Sequence, residues 1–181
     1  MTFVFKETPI KDVLLVESKI YQDDRGYFLE TYKKSEFENY IASEFKQDNY
    51  SFSRKGVIRG LHFQIGDTAQ GKLVRVLNGG ILDVAVDLRP ESPSFRKHVA
   101  VILSSENHNA LWIPPGFAHG FQALEDSLVQ YKVTTEYAPG SEGGIIWNDP
   151  DLAIDWPIKD PILSEKDTKW PTMKEIISGT V

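Results

Sequence analysis

The stretch Leu82-Asp83-Val84-Ala85-Val86-Asp87-Leu88 decides the fold. Leucines and valines occupy every second position, with aspartates and an alanine between them. Successive side chains of a strand point to opposite sides, so this is the period of a β-strand with one oily face. Working outward, Leu73-Val74-Arg75-Val76-Leu77 reads as a strand that stops at the turn Asn78-Gly79-Gly80. The segments 99–103, 110–113 and 128–134 read as further strands. Many short strands broken by Gly, Pro, Asn and Asp predict an all-β sandwich or barrel.

Helix is sparse. Ser35 and Glu38 have the spacing of a capping box, and Phe37, Tyr40, Ile41 and Phe45 keep helical spacing. One helix is therefore predicted over 34–45. The C-terminal region, with Pro157, Pro161 and Pro171, reads as irregular. A short helical turn is expected at Ser164, where Asp167 completes a second capping-box spacing. No repeat or linker interrupts the chain, so one domain over 1–181 is expected.

Composition narrows the function. The chain has 181 residues, 41% of them hydrophobic and 25% charged, with a formal net charge of −6. That balance speaks against a nucleic-acid partner held on a broad basic face, although one pocket can still be positive. There is no cysteine, which excludes disulfides, thiolate nucleophiles and Cys-ligated metals and fits the reducing cytoplasm, the expected location. Residues 1–10 do not look like an export signal, and no apolar run is long enough for a membrane span.

The chemistry concentrates in Gly56-Val57-Ile58-Arg59-Gly60-Leu61-His62-Phe63-Gln64 and Gln70-Gly71-Lys72-Leu73-Val74-Arg75-Val76. Arg59, His62 and Lys72 sit among β-forming residues that want burial. Converging there, they would be costly unless something anionic sat among them. A histidine also titrates near neutral pH and can take a proton. The pattern points to acid–base chemistry on a negatively charged substrate. Arg59 and His62 are three apart and should face opposite ways on an ideal strand. A bulge at Gly60 would bring both to one cavity.

Other candidates have plainer readings when taken singly. Tyr131 and Tyr137 share strand parity and are either packing aromatics or a proton donor and a stacking ring. His119 follows the rigid turn Pro114-Pro115-Gly116 and is either a turn histidine or an inward-facing one. Arg25 and Glu30 flank Gly26-Tyr27-Phe28-Leu29, as in a solvated hairpin. His62, His98, His108 and His119 show neither HxH nor HExxH spacing, so a metal held by one or two of them with carboxylates has only weak support. No phosphate-binding glycine loop and no dinucleotide fingerprint is present.

With these residues assembled, the chain resembles the dTDP-4-dehydrorhamnose 3,5-epimerases of the cupin superfamily. The matching segments are DDRGYFLET (23–31), QDNYSFSRKGVIRGLHFQ (47–64), QGKLVRV (70–76), DVAVDLRPESPSF (83–95), WIPPGFAHGF (112–121), 131–137, EGGIIWNDPDLAIDWP (142–157) and LSEKD (163–167). The resemblance implies a jelly-roll β-barrel with its site inside, usually in a homodimer. It implies a dTDP-sugar substrate, dTDP-4-dehydro-6-deoxyglucose, inverted at both carbons beside its ketone, with no cofactor and no metal. The absent metal agrees with Gln64 standing where a metal-binding cupin has its second histidine, and with Ala123 where it has a later asparagine. By the same resemblance His62 is the general base, Asp167 its orienting carboxylate, Tyr131 the general acid and Lys72 the cation beside the enolate oxygen. Arg25, Glu30, Gln47, Asn49, Arg59, His119, Glu142 and Lys166 fall on substrate-binding positions, and Tyr137 on the position that stacks on thymine. Asp83 is a second candidate for the partner of His62. The rival readings are an enzyme of the same architecture acting at one carbon, a non-catalytic nucleotide-sugar binder, and a metal-dependent cupin.

Overall fold

Alternation like that of 82–88 recurs along the chain and builds thirteen strands among residues 1–179, which the computed structural model describes. One antiparallel sheet runs in the order β1 (Phe3–Glu7), β2 (Leu14–Ser18), β10 (Ala110–Ile113), β7 (Lys72–Asn78), β12 (Ser127–Val133) and β5 (Gln47–Ser53). The second runs β13 (Glu142–Gly144), β6 (Ile58–Gln64), β11 (Phe117–Ala123), β8 (Gly80–Asp87) and β9 (His98–Ser104). A separate hairpin pairs β3 (Ile20–Asp23) with β4 (Gly26–Leu29). The architecture is the expected cupin jelly roll, and the five strands read from sequence are β7, β8, β9, β10 and β12.

The main core lies between the sheets. Val74, Val76, Leu111, Ile113 and Val129 from the first meet Ile81, Ala85, Leu103, Phe117 and Phe121 from the second. The one oily face expected for β8 gives way to burial on both sides. The oily positions Val84 and Val86 face outward and are covered by Ile145, Leu152, Trp156 and Met173 of the C-terminal region. The face carrying Asp83 and Ala85 points inward, so both faces of β8 are buried. A strand packed on both sides cannot be oriented by hydrophobicity alone.

The predicted helix shrinks to α1 (Lys34–Phe37). Asn39 Nδ2 donates to the carbonyls of Ser35 and Glu36, at 3.1 and 3.3 Å, and so competes for acceptors that a continuing helix would use. Lys33, not Ser35, occupies the N-cap, and Glu36 accepts from the Thr2 amide just before β1 at 2.8 Å. Phe37 and Ile41 nevertheless pack with Phe3, Leu73 and Trp112 against the outer face of the six-stranded sheet. The C-terminal helix, α2 (Met173–Ser178), with its capping box at Thr172 and Glu175, has no counterpart in the sequence reading. Among the described residues no helix is long and apolar enough to cross a membrane.

Candidate active site

Parity along each strand sets which side chains enter the barrel. On β7 and β12, Val74 and Val129 face inward, so Lys72 and Tyr131 do too. On β11 the inward set is Phe117, His119 and Phe121, and on β8 it includes Asp83. On β6 the expected irregularity is present. His119 pairs with His62 but Phe121 pairs with Arg59, which leaves one extra residue on β6. Gly60 sits there at φ 136°, and a Cβ on it would meet Gly120 Cα at 2.5 Å. Its peptide bond to Leu61 is cis. Arg59 and His62 accordingly line one cavity.

That cavity, of about 430 Å³, is lined by Ser51, Arg59, His62, Lys72, His119, Tyr131, Lys166 and Asp167, among others. A neighbouring space of about 320 Å³ is lined by Gln47, Asn49, Tyr137 and Glu142 and shares His62, Lys72 and Tyr131 with the first. Nearly all the expected residues therefore surround one two-lobed site.

The turn from Ser164 carries Asp167. Its amide donates to Ser164 Oγ at 3.1 Å, which is the predicted capping contact, and the short turn expected there spans 165–168. The carboxylate turns inward, and its Oδ1 lies 2.5 Å from His62 Nε2. Burial opposes the charge of Asp167, yet the contact with His62, helped by Ser164 and Trp170, holds its carboxyl below the usual carboxylate range. The histidine and the acid thus form an orienting pair.

Asp83 takes a different partner from the one considered for it. Its Oδ1 lies 2.7 Å from Nε2 of the buried His119, and Asp83 itself is fully buried. The reason is register. His119 pairs with Ala85 and Phe121 with Asp83 on the adjacent strand β8, which keeps Asp83 beside β11. Burial lowers the proton affinity of His119 against the pull of Asp83. The other oxygen, Oδ2, has no hydrogen-bond partner. Lys72 is nearby. Burial pushes its ammonium down to about 8, with Asp83 and then Glu142 acting in the opposite direction. The Tyr131 phenol is pushed up by burial, while Arg59 pulls it down.

The second lobe is a hydrogen-bonded frame. Gln47 Nε2 donates to Asn49 Oδ1 at 2.8 Å, and Gln47 Oε1 accepts the Tyr137 amide at 3.0 Å. The Tyr137 hydroxyl and Lys166 Nζ both donate to Glu142 Oε2, at 2.6 and 2.5 Å. Tyr137 reaches this place by a loop, because β12 ends at Val133; the shared strand face expected for Tyr131 and Tyr137 is not what brings them together. Arg59 is anchored by Nε donating to Ser53 Oγ at 2.9 Å and by Nη2 donating to the Phe52 carbonyl at 3.1 Å.

Two expected residues are elsewhere. Arg25 stands on the β3–β4 hairpin, 90% exposed, and its guanidinium meets Asp23 at 2.5 Å. Glu30 follows that hairpin and carries a buried Oε2 without a hydrogen-bond partner. Neither lines the two lobes. Sequence reasoning also passed over Ser51 and Trp170. Ser51 lines the first lobe with a buried, unpartnered hydroxyl; its only signal is that it alternates with Asn49 and Ser53 along β5. Among the described residues no group of three or more His, Asp or Glu side chains is placed to hold a metal ion.

The arrangement combines a carboxylate-backed imidazole, a phenol and a desolvated ammonium around one space, with Arg59 and Lys166 at its margins. Such a set can take a proton from carbon, stabilise the resulting oxyanion and return a proton. The chain matches the family model described as dTDP-4-dehydrorhamnose 3,5-epimerase over residues 7–175. It is 52% identical over 174 residues to the dTDP-4-dehydrorhamnose 3,5-epimerase of Escherichia coli, covering 94% of each chain. It is 50% identical over 181 residues to that of Salmonella typhimurium, covering 98% of each. In three dimensions it matches a dTDP-6-deoxy-D-glucose-3,5-epimerase from Legionella pneumophila, solved in complex with dTDP-4-keto-L-rhamnose. The TM-score is 0.93 at 45% identity, over 99% of this chain and 97% of the other. The chain belongs to the dTDP-4-dehydrorhamnose 3,5-epimerase family of isomerases.

Proposed function

We propose that the chain inverts dTDP-4-dehydro-6-deoxy-D-glucose at the two carbons flanking the ketone, giving dTDP-4-dehydro-L-rhamnose. A proton beside a ketone is acidic because its loss gives an enolate with the charge on oxygen. His62 takes that proton, and Asp167 fixes its tautomer and stabilises the imidazolium. Lys72 faces the enolate oxygen as a cation, where low solvent exposure strengthens its effect. Tyr131 returns a proton from the opposite side, so configuration inverts. Only protons move, so the reaction needs no hydride or electron carrier.

The observation that carries this reading is the placement of His62 and Tyr131. They come from different sheets and line the same space, with Lys72 common to both lobes. Arg59 and Lys166 supply donors suited to a diphosphate. Gln47, Asn49, Glu142 and Tyr137 frame the lobe in which the nucleoside would sit, with Tyr137 offering its ring to thymine. His119, held by Asp83, contacts the sugar.

The reading also assigns Arg25 and Glu30 to the substrate by way of a homodimer. The β3–β4 hairpin is exposed along its length, including Tyr27 and Phe28. β5 is a sheet edge with exposed Tyr50 and Phe52. Exposed aromatics on an arm and on a sheet edge fit burial against a second copy. The deciding experiment is incubation with the 4-keto sugar nucleotide in heavy water, followed by NMR. Deuterium at both carbons beside the ketone, with inversion at both, is expected. Label at one carbon means a single epimerase, and none at all means a binding protein.

A further inference from the structure

Trp170 belongs to none of the motifs above, yet it touches the centre of the site. Its indole Nε1 donates to Asp167 Oδ1 at 3.3 Å, the same oxygen that lies 2.5 Å from His62 Nε2. Its ring stands edge-on to the His62 imidazole, with centroids 6.0 Å apart and planes at 64°. Lys166 Nζ lies 5.2 Å from the indole centroid. Space for the indole is made by Gly144, where a Cβ would fall 2.4 Å from two ring carbons of Trp170. Gly144 is in turn the residue paired with His62 across β13 and β6. The pairing that aligns the histidine therefore also seats the tryptophan.

We propose that Trp170 is a positioning residue for the epimerisation, fixing the Asp167 oxygen on which His62 is seated. A carboxylate oxygen shared by two donors on different segments has less freedom to swing than one with a single partner. The Asp167 backbone is already tied to Ser164, so Trp170 completes the restraint at the carboxylate end. Sharing the oxygen also spreads its charge, which favours the ionised acid. The other charged and titratable groups around this pair are Lys166, Glu142, His119, Lys72, Arg59 and Tyr131. None of them hydrogen-bonds Asp167 Oδ1, which leaves Trp170 as the second donor.

The inference rests on the proposed reaction, and its test separates the two. Trp170→Phe keeps a ring and removes the N–H. Gly144→Ala keeps the tryptophan and displaces it. In the substrate-free protein, the proton between His62 and Asp167 is followed by ¹H–¹⁵N NMR on ¹⁵N-histidine-labelled samples. Its resonance is expected to shift in both variants. With the 4-keto sugar nucleotide, kcat is expected to fall about tenfold while KM stays within about twofold. The acid limb of kcat/KM is expected to move up by about half a pH unit, because a carboxylate that loses the indole donor makes the His62–Asp167 pair hold its proton more tightly. An unmoved resonance and an unmoved acid limb in Trp170→Phe overturn the proposal; if that variant does not fold, the same result in Gly144→Ala does so. A shifted resonance in a protein whose wild type exchanges no substrate protons overturns the reaction instead and leaves the seat of His62 standing.

Discussion

His62 on β6 and Tyr131 on β12 line one cavity from different sheets of the barrel. The proposed inversion needs proton removal on one face of the sugar and proton return on the other. The two residues should therefore fail differently. His62→Ala is expected to lose at least about 10²–10⁴-fold in kcat and to stop solvent exchange at both carbons. Tyr131→Phe is expected to lose inversion while His62 still exchanges protons with heavy water. NMR of the recovered sugar nucleotide distinguishes them, and identical loss of exchange in both would contradict the division of labour.

Lys72 carries the second prediction. Its ammonium has been pushed down to about 8 by burial, so activity that needs the cation falls as pH rises through that value. An alkaline limb near pH 8 is expected in kcat. The same shift has a consequence for folding. Because the folded value lies below the ordinary lysine value of 10.5, charged Lys72 penalises the fold below about pH 8, and the penalty fades as pH rises toward 10.5. At pH 7 the penalty is on the order of 3 kcal/mol. Lys72→Met is therefore expected to be inactive and more stable, with Tm raised by several degrees at pH 7 and by little near pH 10. A lower Tm at pH 7 would show that Lys72 is stabilised by its neighbours instead.

Asp83 gives the third. It balances Lys72 and holds His119 at 2.7 Å from a fully buried position. Asp83→Asn removes the charge and leaves Lys72 opposed mainly by burial. The alkaline limb should then move below pH 8, and stability should fall by about 3 kcal/mol as a buried pair is broken. Urea denaturation and a pH–rate profile measure both. An unchanged limb would mean that Asp83 serves His119 alone.

Much of this was legible in the sequence, and the gaps have physical causes. Five of the strands and the bulge at Gly60 follow from alternation and glycine placement, and the family resemblance picks out most of the residues that line the two lobes. The inward face of β8 was not legible, because valines and aspartates are both buried there, the aspartates through Arg89, Ser92 and Ser94 at Asp87 and through His119 at Asp83. The helix over 34–45 failed because Asn39 captures backbone carbonyls, a local competition that hydrophobic spacing does not report. Trp170 had no signal at all. Its contacts are with Asp167, three residues earlier, and with Gly144 across the fold, and only folding brings the three together.

Arg25 supplies the final prediction. It lies on an exposed hairpin, outside both lobes of the site in its own chain. If a second copy takes up that hairpin, each site combines His62 of one subunit with Arg25 of the other. Arg25→Ala and His62→Ala should each be poorly active alone. Mixed and reassorted in equal amounts, half of the dimers would be heterodimers, and each would hold one intact site. Activity should recover to about a quarter of the wild-type value. Light scattering should report a dimer throughout. Recovery that fails under verified subunit exchange would place Arg25 with the site of its own chain, and a monomer by light scattering would remove the arm from the reaction altogether.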